Sequence, residues 1–256
     1  MDRRSLILAE AQRAGRVMVD ALADELGVSA HTIRRDINAL CEQSKLRRLH
    51  GGAEYIDGSA NMPYGARAVL NAASKRAIAS AAAAMVPDGA TVFISIGTTP
   101  AFVAAALAAR EALTVITNNL NAAMAISENS SHRVILPGGE MRLPDRDFLN
   151  RQAIDLFSAY RADFGIYGVG GIDVDGSLLD FHEEEVRMRE EFERNSRATI
   201  LVADKTKFGR RAAAVGGRID EADCVILDRR PGAPHAGLLD GLPGELIVTS
   251  EQGTGL

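Results

Sequence analysis

Six short apolar runs constrain this chain more than any other feature: Thr91–Ile96, Leu113–Thr117, Arg133–Leu136, Phe164–Tyr167, Thr199–Val202 and Cys224–Leu227. Each is short for a helix and too continuously apolar for a strand with one wet face, as strands buried on both sides of a sheet read. Helical spacing around residues 75–85, 100–109, 120–128 and 183–195 separates several of them. Alternating strands and helices predict an α/β fold with a doubly wound, mainly parallel sheet. Such a sheet binds ligands in a crevice at the carboxyl ends of its strands.

Small, polar and cationic residues follow the runs: Gly97-Thr98-Thr99, Asn118-Asn119, Gly138-Gly139-Glu140, Gly170-Gly171 and Lys205-Thr206-Lys207. Gly97-Thr98-Thr99 precedes Pro100, read as a first helical residue. The tripeptide then offers backbone N–H groups, hydroxyls and a helix N-terminus to one point, which suits an anion. A plain strand-to-helix turn is the competing reading; Lys205 and Lys207 after another strand favour the phosphate. Asp180 and the acidic run Glu183-Glu184-Glu185 open a helix, where the dipole favours carboxylates. Either they complement that dipole in solvent, or one faces the crevice and accepts hydrogen bonds from substrate hydroxyls. Gly168-Val169-Gly170-Gly171 lacks the third glycine of a dinucleotide fingerprint. His182-Glu183 has Val186 where a zinc protease needs a second histidine, so neither cofactor nor metal is expected.

A different pattern occupies the first 55 residues. Val19–Leu26 spaces its apolar residues as an amphipathic helix, Gly27-Val28 turns, and Ser29 offers a cap for a second helix. In that helix Ile33, Ile37 and Leu40 recur at i, i+4, i+7, and His31, Arg35 and Asn38 fall opposite. Lys45-Leu46-Arg47-Arg48-Leu49-His50 then alternates basic and apolar residues before Gly51-Gly52, as a strand of a β-wing would. A helix-turn-helix with a basic wing places donors where a helix lying in a major groove reaches bases and phosphates. Residues 2–14 form the first helix, with Leu6, Ile7 and Ala11 turned inward.

The net charge of −5 argues against a general polyanion binder. From Val28 to His50, however, five Lys or Arg oppose Asp36 and Glu42, so the basic charge is placed. Cys41 and Cys224 fall in different domains, and a disulfide is not expected. The Ala-rich stretch from Ala77 to Val86 stops at Pro87, well short of the ~20 residues that span a bilayer. A cytoplasmic protein with no membrane contact is expected.

Thr32-Ile33-Arg34-Arg35-Asp36-Ile37-Asn38-Ala39-Leu40, followed by Leu46-Arg47-Arg48-Leu49-His50-Gly51-Gly52-Ala53, resembles the DNA-binding signature of the DeoR family of bacterial transcription regulators. The resemblance implies a winged helix-turn-helix with Ser29, His31, Thr32, Arg34 and Arg35 on the reading helix and Arg47, Arg48 and His50 near the wing. Phe93–Pro100, Thr117–Asn121, Asp163–Gly165, Asp175–Phe181, Glu185-Val186-Arg187 and Lys207–Arg210 resemble one branch of that family. That branch is similar in fold to sugar-phosphate isomerases, binds phosphorylated metabolites and releases operator DNA in response. Two positions depart from it: Ser95 stands where Asp is common and Asn150 where Gly is usual.

The expectation is therefore a winged helix-turn-helix over residues 1–55, a linker over 56–70 and an effector-binding α/β domain over 71–256. Ser29, His31, Thr32, Arg34, Arg35, Asn38, Lys45, Arg47, Arg48 and His50 are expected to meet double-stranded operator DNA. Gly97, Thr98, Thr99, Asn118, Asn119, Gly138, Gly139, Glu140, Gly170, Gly171, Asp180, Glu185, Lys205 and Lys207 are expected to meet a phosphorylated polyol or sugar. The resemblance favours Glu185 among the glutamates, and glycerol 3-phosphate as the effector. It implies a homodimer or homotetramer and a repressor. The competing class is a sugar-phosphate isomerase-like enzyme with Glu185 as base and Lys205 polarising a carbonyl.

Overall fold

The computed structural model describes residues 2–42, 45–55 and 61–250, with the side chains of Glu42 and Arg47 outside the described residues. The chain divides into two compact units, Met1–Ala60 and Asn61–Leu256.

In the first unit α1 (Arg3–Ala14), β1 (Arg16–Met18), α2 (Val19–Leu26) and α3 (Ala30–Glu42) precede the hairpin of β2 (Leu46–Leu49) and β3 (Gly52–Tyr55). The strands form an antiparallel sheet in the order β1-β3-β2. Gly27 ends α2 in the left-handed conformation, at φ 63°, and Ser29 caps α3 by accepting from the Thr32 amide at 3.2 Å. Ile33, Ile37 and Leu40 pack with Ile7, Ala11, Val17, Leu22 and Leu46 in one core. Leu6, expected inside, is 39% exposed, because Ile7 and Ala11 already fill the buried face of α1. Asp36, on the reading helix, is buried and receives Arg3 Nε at 2.6 Å and Arg4 Nε at 3.1 Å. Burial alone would raise its carboxyl, but these hydrogen bonds pull it below the usual carboxylate range. α1 is thereby tied to α3 by charge as well as by packing.

The second unit opens with α4 (Tyr64–Val69) and α5 (Ala72–Met85). Residues 56–60 of the expected linker lie outside the described residues, whereas 64–69 are helical. There follow β4 (Thr91–Ile94), α6 (Thr98–Leu107), β5 (Thr114–Thr117), α7 (Leu120–Ile126), β6 (Arg133–Ile135), α8 (Arg151–Ser158) and β7 (Ala162–Tyr167). The chain continues through β8 (Gly171–Ile172), β9 (Ser177–Asp180), α9 (Glu183–Arg194), β10 (Ser196–Ala203), β11 (Ala214–Arg218), β12 (Cys224–Leu227) and β13 (Glu245–Val248).

Seven strands form one sheet in the order β13-β12-β10-β7-β4-β5-β6, and every pairing is parallel. Alternate residues feed opposite faces: Val92, Ile94, Ile200 and Val202 pack with α5, α6 and α7, while Phe93, Leu201 and Tyr167 pack with α8 and α9. On the second face Phe93, Phe157 and Phe192 meet ring to ring at 5.0–5.7 Å. Gly165 leaves room for them, since a Cβ there would stand 2.7 Å from the Phe192 ring and 2.2 Å from Ser196 Oγ. β8, β9 and β11 form a separate antiparallel sheet in the order β11-β9-β8, which carries Asp180 to the end of β7.

Candidate functional site

Opposite its buried stripe, α3 exposes His31, Arg34, Arg35 and Asn38, and Lys45, Arg48 and His50 are exposed around the hairpin. Arg34, Arg48 and His50 line a hollow between α3 and the wing. Arg48 donates to Asn38 Oδ1, which leaves the Asn38 amide NH₂ as a donor. Ser29 Oγ is engaged with Thr32, both with its amide and, at 2.9 Å, with its hydroxyl, so both residues are occupied in starting the helix. The backbone of Arg47 pairs with Glu54 in the wing, and its side chain lies outside the described residues. With Asp36 buried and paired, the exposed side of α3 is a surface of hydrogen-bond donors, the groups that reach base edges and phosphates.

In the second unit the strand order reverses between β4 and β7. β5 and β6 lie on one side of β4, and β7, β10, β12 and β13 lie on the other. A cleft of ≈ 520 Å³, part of it open to solvent, lies where the loops after β4 and β7 diverge.

One end of the cleft gathers backbone amides and cations. Gly97 turns the chain at φ 108°, a conformation that favours glycine, and α6 begins at Thr98. Pro100 is therefore the third helical residue and not the first. It has no N–H and Ala101 N already donates to Gly97 O, so the amides of Thr98 and Thr99 are the first-turn donors that remain, with no side-chain cap. Asn119 holds this loop from behind: its Nδ2 donates to Ser95 O at 3.1 Å and Gly97 O at 3.0 Å, and its Oδ1 caps α7. Lys207 and Arg210 line the same cleft. Arg210 donates to Gly170 O and Asn61 Oδ1 and lies 4.8 Å over the Phe181 ring. Among the described residues no carboxylate pairs with either cation. Burial first, and neighbouring guanidinium groups second, push Lys207 down to about 7 and Arg210 down to about 10.

The other end is a carboxylate network that is already paired. Arg142 donates to both oxygens of Asp147 at 2.8 Å and to Glu185 Oε1 at 2.9 Å, while Glu185 Oε2 accepts from Phe181 N at 3.0 Å. Asp180 accepts from Gly170 N at 2.8 Å and from Arg189 at 3.4 Å; burial outweighs that guanidinium and pushes its carboxyl up to about 6. Arg67 pairs with Asp145.

Of the residues expected from sequence, Gly97, Thr98, Thr99, Gly170, Asp180, Glu185 and Lys207 line the cleft, and Asn118 lines a recess continuous with it. Lys205 does not: three residues per turn in the short helix Lys205–Lys207 send its exposed side chain in another direction. Gly138, Gly139 and Glu140 are exposed after β6, two strands or ~10 Å from β4. Gly171 is buried in β8, where a Cβ would stand 2.0 Å from Arg210 O. Arg67, Asp145, Asp147, Arg142 and Arg210 were not expected. Arg67 fell in the expected linker and Arg142–Asp147 in a loop with no period, but Arg210 lay inside the quoted Lys207–Arg210 motif.

A winged helix-turn-helix unit followed by an α/β unit with a cleft of backbone amides and cations is the architecture of a DNA-binding regulator with a sensor domain. Residues 3–59 match the DeoR-like helix-turn-helix domain, and residues 70–229 match the DeoR C terminal sensor domain. The chain is 42% identical to the glycerol-3-phosphate regulon repressor of Escherichia coli (strain K12), over 90% of this chain and 91% of that one. It is 39% identical to the protein of the same description from Haemophilus influenzae, over 88% of each. It is also 35% identical to the HTH-type transcriptional repressor CsqR of Escherichia coli, over 98% and 95%. Among solved structures, ribose 5-phosphate isomerase A from Methanocaldococcus jannaschii is 16% identical with a TM-score of 0.41, over 55% and 56%. The chain belongs to the DeoR family.

Proposed function

We propose that this chain is a cytoplasmic, dimeric or tetrameric transcriptional repressor whose hold on operator DNA is relieved by a phosphorylated polyol, glycerol 3-phosphate, in the cleft of the second unit. The observation that carries the effector class is the two cations, Lys207 and Arg210, without a carboxylate partner among the described residues, in one cleft with the uncapped amides of Thr98 and Thr99. A phosphate monoester there gains charge-assisted hydrogen bonds from amides and cations together. The relatives named glycerol-3-phosphate regulon repressors support the particular polyol. Binding without turnover is favoured by Glu185, whose two oxygens are both engaged, and by Lys205, whose side chain points away from the cleft.

Two subunits place their α3 helices in successive major grooves, and effector binding favours a state that fits DNA poorly. Release requires different effector affinities in the two states. If all five Lys and Arg between Val28 and His50 met phosphates in both subunits, the log K versus log salt slope would approach about −9.

The effector reading is tested by calorimetric titration of glycerol 3-phosphate across pH. A bound phosphate restores the Lys207 proton, so binding takes up a proton above pH 7, and affinity is expected to fall by up to tenfold per pH unit there. Below pH ~6 the phosphate itself loses its second charge. The affinity maximum is thus expected between about pH 6 and pH 7. A profile flat from pH 7 to pH 9 would contradict the assignment of Lys207 to the phosphate.

A further inference from the structure

Behind the cleft lies a smaller recess bounded by Ser95, Asn118, Met188 and Phe192, which shares Asp180 and Glu185 with the cleft itself. Asn118 is fully buried. Its Nδ2 donates to Phe148 O at 2.9 Å, which fixes the orientation of the amide, and Oδ1 has no hydrogen-bond partner among the described residues. A buried acceptor without a donor is costly, and one beside a cavity marks where a donor belongs. Ser95 Oγ uses its own hydrogen on Ile96 O at 3.2 Å, so toward the recess it too offers lone pairs.

The other polar walls are satisfied. Asp180 is held by Gly170 N and Arg189, Glu185 by Phe181 N and Arg142, and Arg189 also by Glu193 and Gly216 O. An occupant must therefore donate to Asn118 Oδ1 while resting on the apolar side chains of Met188 and Phe192. A carboxylate or second phosphate offers no donor and would face Asp180 and Glu185. A neutral hydroxyl on a methylene meets both conditions. Ser95 is also three residues from Thr98 along the chain, at most ~11 Å, so one small molecule spans recess and phosphate site.

We infer that the recess formed by Asn118 Oδ1 and Ser95 Oγ is a specificity subsite for the distal, uncharged hydroxyl of the phosphorylated effector. The inference rests on the phosphate reading of the cleft. It makes Ser95 and Asn118, together with the facing carboxylates of Asp180 and Glu185, the residues that separate polyol phosphates from phosphorylated acids.

The test is calorimetry on the full chain with inorganic phosphate, glycerol 3-phosphate, 2-hydroxypropyl phosphate, which lacks only the distal hydroxyl, and 3-phosphoglycerate, which has a carboxylate in place of the distal hydroxymethyl group. Glycerol 3-phosphate is expected to bind about tenfold or more tightly than 2-hydroxypropyl phosphate, with 3-phosphoglycerate weakest of the three monoesters. Ser95→Val, which replaces the hydroxyl in the recess wall by bulkier methyls, is expected to shrink the first ratio below about threefold and leave the affinity for inorganic phosphate unchanged. The ligand series in the unaltered chain stands even if the variant folds poorly. Equal binding of the hydroxylated and deoxy compounds, or an unchanged ratio in Ser95→Val, would overturn the subsite and leave the phosphate site standing. Failure of all four probes to bind would overturn the phosphate reading, and the subsite with it.

Discussion

Lys207→Met is expected to raise the glycerol 3-phosphate concentration for half-release of operator DNA by about 10- to 150-fold, the equivalent of ~1.5–3 kcal/mol for a hydrogen bond to a charged group. Methionine keeps an unbranched stem of similar length and removes only the ammonium. The fold is expected to survive, because among the described residues the Lys207 Nζ forms no ion pair or hydrogen bond. Its pKa is depressed to about 7 by burial and by Arg210, so the folded chain binds fewer protons than the unfolded chain from about pH 7 up to the lysine's unfolded value. Stability therefore rises with pH across that window, and the substitution removes this contribution to the slope. The falling limb of effector affinity above pH 7 is expected to vanish as well. Release assays on the variant, with DNA affinity in the absence of effector as the control, check both points. An unaltered midpoint would remove Lys207 from the phosphate site.

In the first unit, Arg35→Ala is expected to weaken operator binding by ~1–3 kcal/mol for each reading helix, and by about 30-fold to 10⁴-fold when two helices bind together. Arg35 is exposed opposite Ile33, Ile37 and Leu40, so its loss leaves the core of that unit intact. Effector affinity of the DNA-free chain is expected to be unchanged, since Arg35 lies outside the second unit. Electrophoretic retention of operator fragments at fixed salt measures the first effect and calorimetry the second. Equal retention by the variant and the unaltered chain would refute the assignment.

The parts legible in the sequence were those written in local periodicity. All six apolar runs form strands of the seven-stranded sheet, because continuous apolar residues have nowhere to go except between two helical layers. The i, i+4, i+7 stripe of α3 is buried as expected, and Gly27 makes the expected turn before the Ser29 cap. What periodicity could not convey was side-chain direction in irregular backbone. Lys205 and Lys207 stand two residues apart in one motif, yet only Lys207 lines the cleft.

Long-range pairing was equally hidden. Arg142 meets Glu185 across 43 residues and Arg67 meets Asp145 across 78, and no local pattern announces either. β13, Glu-Leu-Ile-Val at an edge, is as apolar as Arg133–Leu136 and was not among the expected strands. The small sheet of β8, β9 and β11 is rich in glycine, where strand propensity is low.

The most direct test of the account is retention of DNA from upstream of the protein's own gene and its neighbours, titrated with glycerol 3-phosphate and, in parallel, with fructose 6-phosphate. Specific retention, released by glycerol 3-phosphate at concentrations where fructose 6-phosphate has no effect, is the predicted result. Retention on none of the fragments, or retention that neither compound relieves, would contradict it.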